Sequence, residues 1–372
     1  MNLFSVPTPR VFIDVDRVHR NIRRMADLAA SAGVRLRPHT KTHKSPVIAR
    51  WQIEAGAVGV CCAKVGEAEV FAEAGIEDIR LPYPVHFSNA DRLLALLDLA
   101  RISIIVDDLG VARGWSKAMA AGRRLDVLVK IDVGFHRCGM DPEAPGTLEA
   151  IREIAELPGL SFRGLLSYAG QSAGAESIDH LRSIAMDEMA IMTTLSCALR
   201  RQGLPVEELS VGGTPLSRFI GDQRSATEMR PGNYVFFDRM QVGLESATLD
   251  DCALAVVSTV VSRPARDRVV FDAGSKTLTS DGARGFAPQP GHGLVFPSID
   301  ATVPDPSIVI ERLNEEHGVA RVPESCTLSP GDRVRILPNH SCVVTNMVDE
   351  LLMVQGVEIV DTLPVAARGK TW

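Results

Sequence analysis

The feature that most constrains the fold is an alternation of short apolar runs with amphipathic, helix-length segments between about residues 10 and 240. Parallel strands need long crossover connections, so this pattern is typical of β/α units. The apolar runs lie at 34–38, 58–62, 78–82, 102–106, 126–132, 162–168, 208–212 and 233–237. Eight strands can close into a (β/α)8 TIM barrel. A doubly wound sheet is disfavoured because no GxGxxG motif stands at the first turn.

Two helices have clear boundary signals. The first is predicted to start after Asp16 as its N-cap, because the following apolar residues repeat on one helix face. The longest covers 179–201 and is predicted to end before Gly203.

The pattern changes after about residue 245 to closely spaced β-rich runs. They lie at 252–263, 268–274, 334–338 and 351–365, with turn residues between them. We therefore predict an α/β barrel followed by a C-terminal β-rich, β-barrel-like domain. Residues 16–243 are assigned to the barrel, and residues 1–15 with 244–372 to the β-domain.

Charge and composition narrow the functional class. The net charge of -6 gives no basic footprint for nucleic acid or for an anionic membrane surface. No apolar stretch approaches the roughly 18 residues of a membrane span, and the N-terminus lacks the basic and apolar regions of an export signal. Seven cysteines at irregular spacing are expected to be reduced. These features predict a cytoplasmic protein with a small-molecule partner.

A dense polar cluster, RLRPHTKTHK at 35–44, follows the first predicted strand. The carboxyl ends of barrel strands carry the active sites of such folds. A lysine amine placed there, such as that of Lys41, can form an imine with a carbonyl compound. A solvated basic loop is the alternative interpretation of the same residues.

Two further motifs suggest binding chemistry. In PNHSC, His340 and Cys342 are two residues apart, so an extended segment places both on one face, and imidazole with thiolate suits zinc. An ordinary strand and turn is the alternative. SVGGTP (210–215) and PGNYVFFD (231–238) contain small residues that let backbone N–H groups approach a phosphate. The candidates are Gly212, Gly213, Thr214, Gly232, Asn233 and Tyr234.

Taken in order, eight motifs resemble those of the alanine racemase-like (fold-type III) pyridoxal phosphate (PLP) enzymes. The branch is that of D-threonine aldolase, D-serine dehydratase, and the 3-hydroxyaspartate aldolases and dehydratases. The motifs are RPHTKTHK (37–44), GVCCAKVGEAEVF (59–71), DVGFHRCGM (132–140), SVGGTP, PGNYVFFD, DAGSKTLTSD (272–281), EEHG (315–318) and PNHSC (338–342). The resemblance covers nearly the whole chain.

The resemblance implies roles for particular residues. Lys41 corresponds to the Schiff-base lysine, and Arg137 to the arginine near the phenolic oxygen of PLP. His340 and Cys342 correspond to the ligands of a divalent metal, with Mn, Zn or Mg as candidates. His317 in EEHG is a weaker candidate, for a metal-bound water or the substrate carboxylate. A homodimer is also implied.

One position departs from the resemblance. D-threonine aldolases typically read Tyr-His-Gly after the sixth strand, with the histidine proposed to take the β-hydroxyl proton, whereas this chain reads Tyr168-Ala169-Gly170. A metal-bound hydroxyl has a lowered pKa and does not strictly need that base. Tyr168 is kept as a candidate catalytic residue.

The resemblance implies a PLP- and metal-dependent lyase for β-hydroxy-D-amino acids, of the D-threonine aldolase type, which releases glycine and an aldehyde. The first alternative is a D-serine or 3-hydroxy-D-aspartate dehydratase, which Cys342 favours. From another class, the alternative is a non-catalytic PLP-binding protein, although those relatives are usually a single barrel.

Overall fold

The computed structural model describes residues 1–119, 122–288 and 290–372. The α-helices are Val15–Ser31 (α1), Pro46–Glu54 (α2), Val65–Glu73 (α3), Ala90–Leu97 (α4), Leu109–Ala118 (α5), Thr147–Glu156 (α6), Ile178–Arg201 (α7), Arg239–Gly243 (α8), Ser275–Leu278 (α9) and Ser341–Asn346 (α10). Short 3-10 helices cover Thr40–Thr42, Phe87–Asn89, Gly170–Gly174, Ser217–Phe219, Asn233–Val235 and Leu249–Asp251. Within the described ranges, no helix is both long and apolar enough to cross a membrane.

The strands form two sheets. In chain order they are Arg10–Asp14 (β1), Arg35–Leu36 (β2), Val60–Cys61 (β3), Asp78–Pro84 (β4), Arg101–Val106 (β5), Leu125–Lys130 (β6), Leu160–Leu166 (β7), Glu208–Val211 (β8), Glu228–Met229 (β9), Leu254–Ala265 (β10), Arg268–Phe271 (β11), Leu294–Phe296 (β12), Val309–Leu313 (β13), Gly318–Arg321 (β14), Arg333–Leu337 (β15), Glu350–Gln355 (β16) and Glu358–Pro364 (β17).

The first sheet is a barrel of eight parallel strands in the order β2-β9-β8-β7-β6-β5-β4-β3. A parallel bridge between His39 and Cys61 joins its two ends, and the Val58 N–H donates to the Leu36 carbonyl at 2.9 Å. The predicted TIM-like fold class is therefore confirmed.

The eighth barrel strand is not the predicted one. The run at 233–237 does not pair in the barrel, and β9 at Glu228–Met229 takes that place. The apolar run exists because Val235 and Phe236 are buried in the core of the second sheet. Sequence periodicity missed β9 because the strand has two residues and one of them is a buried glutamate.

The first helix also begins earlier than predicted. Its N-cap is Asp14 rather than Asp16, and the Asp14 side chain accepts a hydrogen bond from the Arg17 N–H at 3.0 Å. The long helix α7 starts one residue before the predicted bound, with Ser177 as its cap.

The second sheet has the order β13-β14-β11-β10-β1-β16-β17, with β15 pairing both β10 and β12. The N-terminal strand β1 lies antiparallel to β10 and parallel to β16, so the chain enters the barrel from this sheet. Strands β12, β13 and β14 were not predicted, because they are short and two of them carry charged residues. The division into residues 16–243 and 1–15 with 244–372 stays a proposal.

A network of buried ion pairs lies inside the barrel. The Glu228 carboxylate accepts hydrogen bonds from Arg37 Nε at 2.8 Å and Ser210 Oγ at 2.5 Å, and it pairs with Arg80. Arg80 also donates to Glu208 Oε2 at 2.8 Å. Burial alone would raise the pKa of Glu228, but Arg80 and Arg37 outweigh burial and lower it to about 2.

This network predicts a defined pH dependence of stability. Because the pKa of Glu228 is depressed on folding, its contribution is present above the unfolded value of about 4.5 and is lost as the pH falls towards about 2. Glu228→Gln should cost about 3 kcal/mol or more at pH 7, because two buried arginines each lose one of their two carboxylate partners. It should also flatten the stability profile in that acid window. Urea unfolding at several pH values measures both effects, and an unchanged acid slope would contradict the assignment.

Candidate active site

A cavity of about 230 Å³ lies between the mouth of the barrel and the second sheet. Its walls come from the loops that follow β2, β6, β7, β8 and β9, together with α8 and the start of α10. Most of the residues singled out from sequence line it. They are Lys41, Arg137, Tyr168, Gly212, Gly213, Thr214, Gly232, Asn233, His340 and Cys342.

Two predicted residues are placed elsewhere. The Tyr234 side chain is fully buried, and its hydroxyl accepts a hydrogen bond from Gln52 Nε2 at 2.9 Å. Of Tyr234, only the backbone N–H approaches the loop after β8, where it lies 3.3 Å from Thr214 Oγ1. His317 is exposed in the turn between β13 and β14 and is not among the described residues that line the cavity. Its predicted role stays a prediction.

One buried carboxylate holds the turn that carries Lys41. Glu67, in α3, accepts hydrogen bonds from Thr40 Oγ1 at 2.6 Å and from the Ala63 N–H at 2.9 Å. Its other neighbour is Lys44, whose Nζ is 3.7 Å from Glu67 Oε2. Burial raises the pKa of Glu67, and Lys44 and Thr40 oppose this rise. Residues on both sides of Lys41 are therefore anchored, while the Lys41 side chain is exposed towards the cavity.

The glycine-containing loops fit a phosphate. The N–H groups of Gly212, Gly213, Thr214, Gly232 and Asn233 have no acceptor within the part of the chain that the structure describes. Side chains would be crowded at two of these positions. A Cβ on Gly212 would lie 2.8 Å from Arg230 Nη2, and one on Gly232 would lie 3.0 Å from the His39 carbonyl oxygen. Backbone N–H donors without a protein acceptor, next to glycines that leave room for a ligand, can bind an anion.

Aromatic rings orient the guanidinium of Arg137. Its Cζ lies 4.9 Å from the ring centroid of Tyr168 and 5.2 Å from that of Phe135. The two rings meet edge to face with their centroids 5.8 Å apart. These contacts position the guanidinium at the cavity, where it has N–H donors for an anionic oxygen.

The His340 and Cys342 side chains fit a metal. His340 Nδ1 is 2.6 Å from Asp281 Oδ2, which leaves Nε2 for a ligand, as in metal sites where a carboxylate orients the imidazole. Burial disfavours the charged imidazole, but Cys342, Asp238 and Asp281 outweigh it and raise the pKa of His340 to about 10. Burial opposes ionisation of Cys342 too, yet contact with His340 lowers its pKa. The thiolate, which binds metals, is thereby favoured.

Protein ligands for a metal are few at this point. No group of three His, Cys, Asp or Glu side chains suited to a metal occurs among residues 1–119, 122–288 and 290–372. One imidazole and one thiolate would leave positions open for water or substrate, as in catalytic rather than structural metal sites.

Besides Glu67, three residues that matter here were not singled out from sequence. Asp281 ends the DAGSKTLTSD motif and contacts His340. Arg230 directly precedes PGNYVFFD, lines the cavity and donates to Ser210 Oγ at 2.5 Å. Arg284 lines the cavity three residues after Asp281. Asp281 lies within a quoted motif and Arg230 adjoins one, so both were within reach of sequence reasoning, whereas Arg284 carried no signal.

Known proteins match this chain along its whole length. The family described as "Alanine racemase, N-terminal domain" matches residues 13–240, and the "Putative serine dehydratase domain" matches residues 253–354. D-threonine aldolase of Arthrobacter sp. is 33% identical over 99% of this chain and 94% of its own. D-threo-3-hydroxyaspartate dehydratase of Delftia sp. (strain HT23) is 35% identical over 91% of this chain and 92% of its own. The crystal structure of D-threonine aldolase from Filomicrobium marinum has a TM-score of 0.88 and 34% identity, covering 100% of this chain and 98% of the other.

The anchoring of the Lys41 turn gives a prediction. Glu67→Ala leaves the Ala63 N–H and the Lys44 ammonium without their acceptor and leaves Thr40 Oγ1 with the Cys61 carbonyl at 2.9 Å, so we expect the affinity for added PLP to fall about 10-fold or more, since buried groups lose partners. Glu67→Gln should recover part of the loss. PLP titration followed by visible absorption measures the affinity. The control is Glu69→Gln in the same helix, whose partner is the half-buried Arg92. Equal loss in both variants would contradict the anchoring role.

Proposed function

The chain belongs to the alanine racemase-like lyases that carry a serine dehydratase-type C-terminal domain and use PLP, and from this premise we propose a PLP- and metal-dependent lyase for β-hydroxy-D-amino acids. The proposed reaction is of the D-threonine aldolase type. One contact carries the proposal. Thr42, next to Lys41, places Oγ1 3.2 Å from Cys342 Sγ, so the imine-forming lysine and the metal-ligating pair face one cavity.

The proposed roles follow from these positions. When bound, PLP supplies an electron sink for the charge left at Cα, and a divalent ion (Mn, Zn or Mg) supplies a positive charge at the β-hydroxyl. Lys41 binds the cofactor aldehyde and carries a proton to or from Cα. Arg137 binds the phenolic oxygen, and the N–H groups after β8 and β9 bind the phosphate. His340 Nε2 and Cys342 Sγ hold the metal.

In the proposed aldolase reaction the β-hydroxyl loses its proton and the Cα–Cβ bond breaks, giving an aldehyde and, after protonation at Cα, glycine. Ala169 is buried and provides no base. Lowering the hydroxyl pKa by the metal charge accounts for cleavage without a histidine there. Tyr168, which lines the cavity beside Arg137, is the proposed catalytic residue of that loop.

Dehydration is the second candidate, and Cys342 in the metal pair favours it. Lys41 would remove the Cα proton, and hydroxide would leave from Cβ to give a 2-oxo acid and ammonia after hydrolysis. The similarity of this chain to the Delftia dehydratase supports dehydration to the same extent as its similarity to the Arthrobacter aldolase supports aldol cleavage.

Two further parts of the proposal concern assembly and location. A homodimer is proposed from the family resemblance alone. A cytoplasmic location is proposed from the seven cysteines at irregular spacing, which are expected to be reduced.

Product analysis tests the reaction. Purified protein with PLP should show the visible absorption of an imine, and Lys41→Ala should lose it. D-threonine should yield equimolar glycine and acetaldehyde. Formation of 2-oxo acid and ammonia from D-threonine or D-serine would instead establish the dehydratase, and no turnover of D-threonine, D-serine or D-threo-3-hydroxyaspartate would contradict the lyase proposal.

Metal removal tests the His340–Cys342 pair. Chelation should abolish turnover but leave the imine absorption, and Mn²⁺ or Zn²⁺ should restore turnover. His340→Ala should abolish this restoration. Asp281→Asn should weaken metal affinity about 10- to 100-fold, because it removes the carboxylate that orients the imidazole. Full activity after exhaustive chelation, verified by metal analysis, would exclude the metal role.

A further inference from the structure

The segment after α9 carries one side chain that contacts His340 and one residue that lines the cavity. Asp281 contacts His340, and Arg284 lines the cavity three residues later. We propose that Arg284 binds a second carboxylate on the substrate, on the β-carbon side, so that the preferred substrate is a 3-hydroxy-D-aspartate rather than D-threonine. This inference rests on the proposed function and specifies its substrate class.

The backbone at Arg284 is held on both sides. Before it, Asn339 Nδ2 donates to the Asp281 carbonyl at 2.9 Å. After it, the Phe286 N–H donates to the Gly243 carbonyl at 2.9 Å. Gly285 has φ +132 and packs so closely on Gly243 that a Cβ at either position would collide with backbone. Such fixed backbone lets an exposed side chain act at a defined place over the cavity.

The Arg284 guanidinium is available for a ligand. It is exposed, and no acceptor or ion-pair partner for it occurs within the described ranges of the chain. Of the other cations of the cavity, Arg230 is bound to Ser210 Oγ and the Ser167 carbonyl, whereas Lys41 and Arg137 are assigned to the cofactor under the proposed function. A planar guanidinium binds a carboxylate through two parallel hydrogen bonds.

The position of Arg284 indicates which carboxylate it binds. It belongs to the same loop as Asp281, which holds His340, so it lies on the proposed metal side of the cavity. The β-hydroxyl is proposed to bind there, and a group on Cβ lies next to it. The phosphate loops and Arg137 follow barrel strands and form the other wall. Arg284 therefore suits a substituent of Cβ better than the carboxylate on Cα.

Kinetics with two substrates test the assignment. For the holoenzyme we expect kcat/KM for D-threo-3-hydroxyaspartate to exceed that for D-threonine. Arg284→Gln should lower the diacid value about 10- to 100-fold, the effect of one charge-assisted hydrogen-bonding group, with little change for D-threonine. Arg284→Lys should recover part of the loss. Arg266→Gln, an exposed arginine in the turn between β10 and β11, is the control.

Binding without turnover separates this inference from the proposed reaction. D-aspartate and D-alanine lack the β-hydroxyl, so calorimetry on the holoenzyme can compare a diacid with a monoacid even if no lyase activity is found. Tighter binding of D-aspartate that Arg284→Gln removes would support the inference. Equal loss for both ligands would assign Arg284 to the α-carboxylate. A preference of the wild type for D-threonine and D-alanine would mean that Met240 and Leu244, which also line the cavity, select an apolar group. Either result overturns the proposal.

Discussion

The barrel depends on the charge of Glu228 at its centre. Its strands β2, β3 and β9 have only two residues each, so few backbone hydrogen bonds join them to their neighbours. Arg37, which follows β2, bridges Glu228 in β9 and Asp78 in β4, and Arg80 continues the network to Glu208 in β8. Side-chain ion pairs thus connect strands that short backbone ladders join weakly. Such pairs are stable only when every buried charge has partners, as these have.

The same network reaches the functional end of the barrel. Ser210 donates to Glu228 and accepts from Arg230, and Arg230 lines the cavity. A carboxylate deep in the barrel is thereby linked through one hydroxyl to a guanidinium at the site. Above this level the loops present bare N–H donors, the Lys41 amine and the Arg137 guanidinium. The chemistry of the barrel mouth is therefore suited to a bound anion with a reactive carbonyl.

The second sheet completes the site from above. Strand β15 leads directly into PNHSC, and α10 begins at Ser341, so His340 and Cys342 arrive at the barrel mouth as a pair. Two separate contacts attach this region to the barrel side. Thr42 meets Cys342, and Asp238 accepts from the Ser341 N–H at 3.0 Å, while Asp281 of the C-terminal part holds His340. The barrel loops and the second sheet form the cavity together. The reactive lysine and the metal-ligating pair can therefore meet although they are almost 300 residues apart in sequence.

The sequence by itself determined the barrel, the β-rich second part and most of the cavity-lining residues, because local periodicity and short motifs report local structure. Seven of the barrel strands were predicted correctly, but the run at 233–237 was taken for the eighth. This run is apolar because it is buried between two cores, and in the sequence such a run cannot be told from a buried strand. Only the tertiary structure decided that β1 joins the distant β10 and β16, that Glu67 anchors the Lys41 turn, and that Arg284 faces the cavity. These facts depend on contacts between residues far apart in the chain, and no local pattern of hydrophobicity or spacing encodes such contacts.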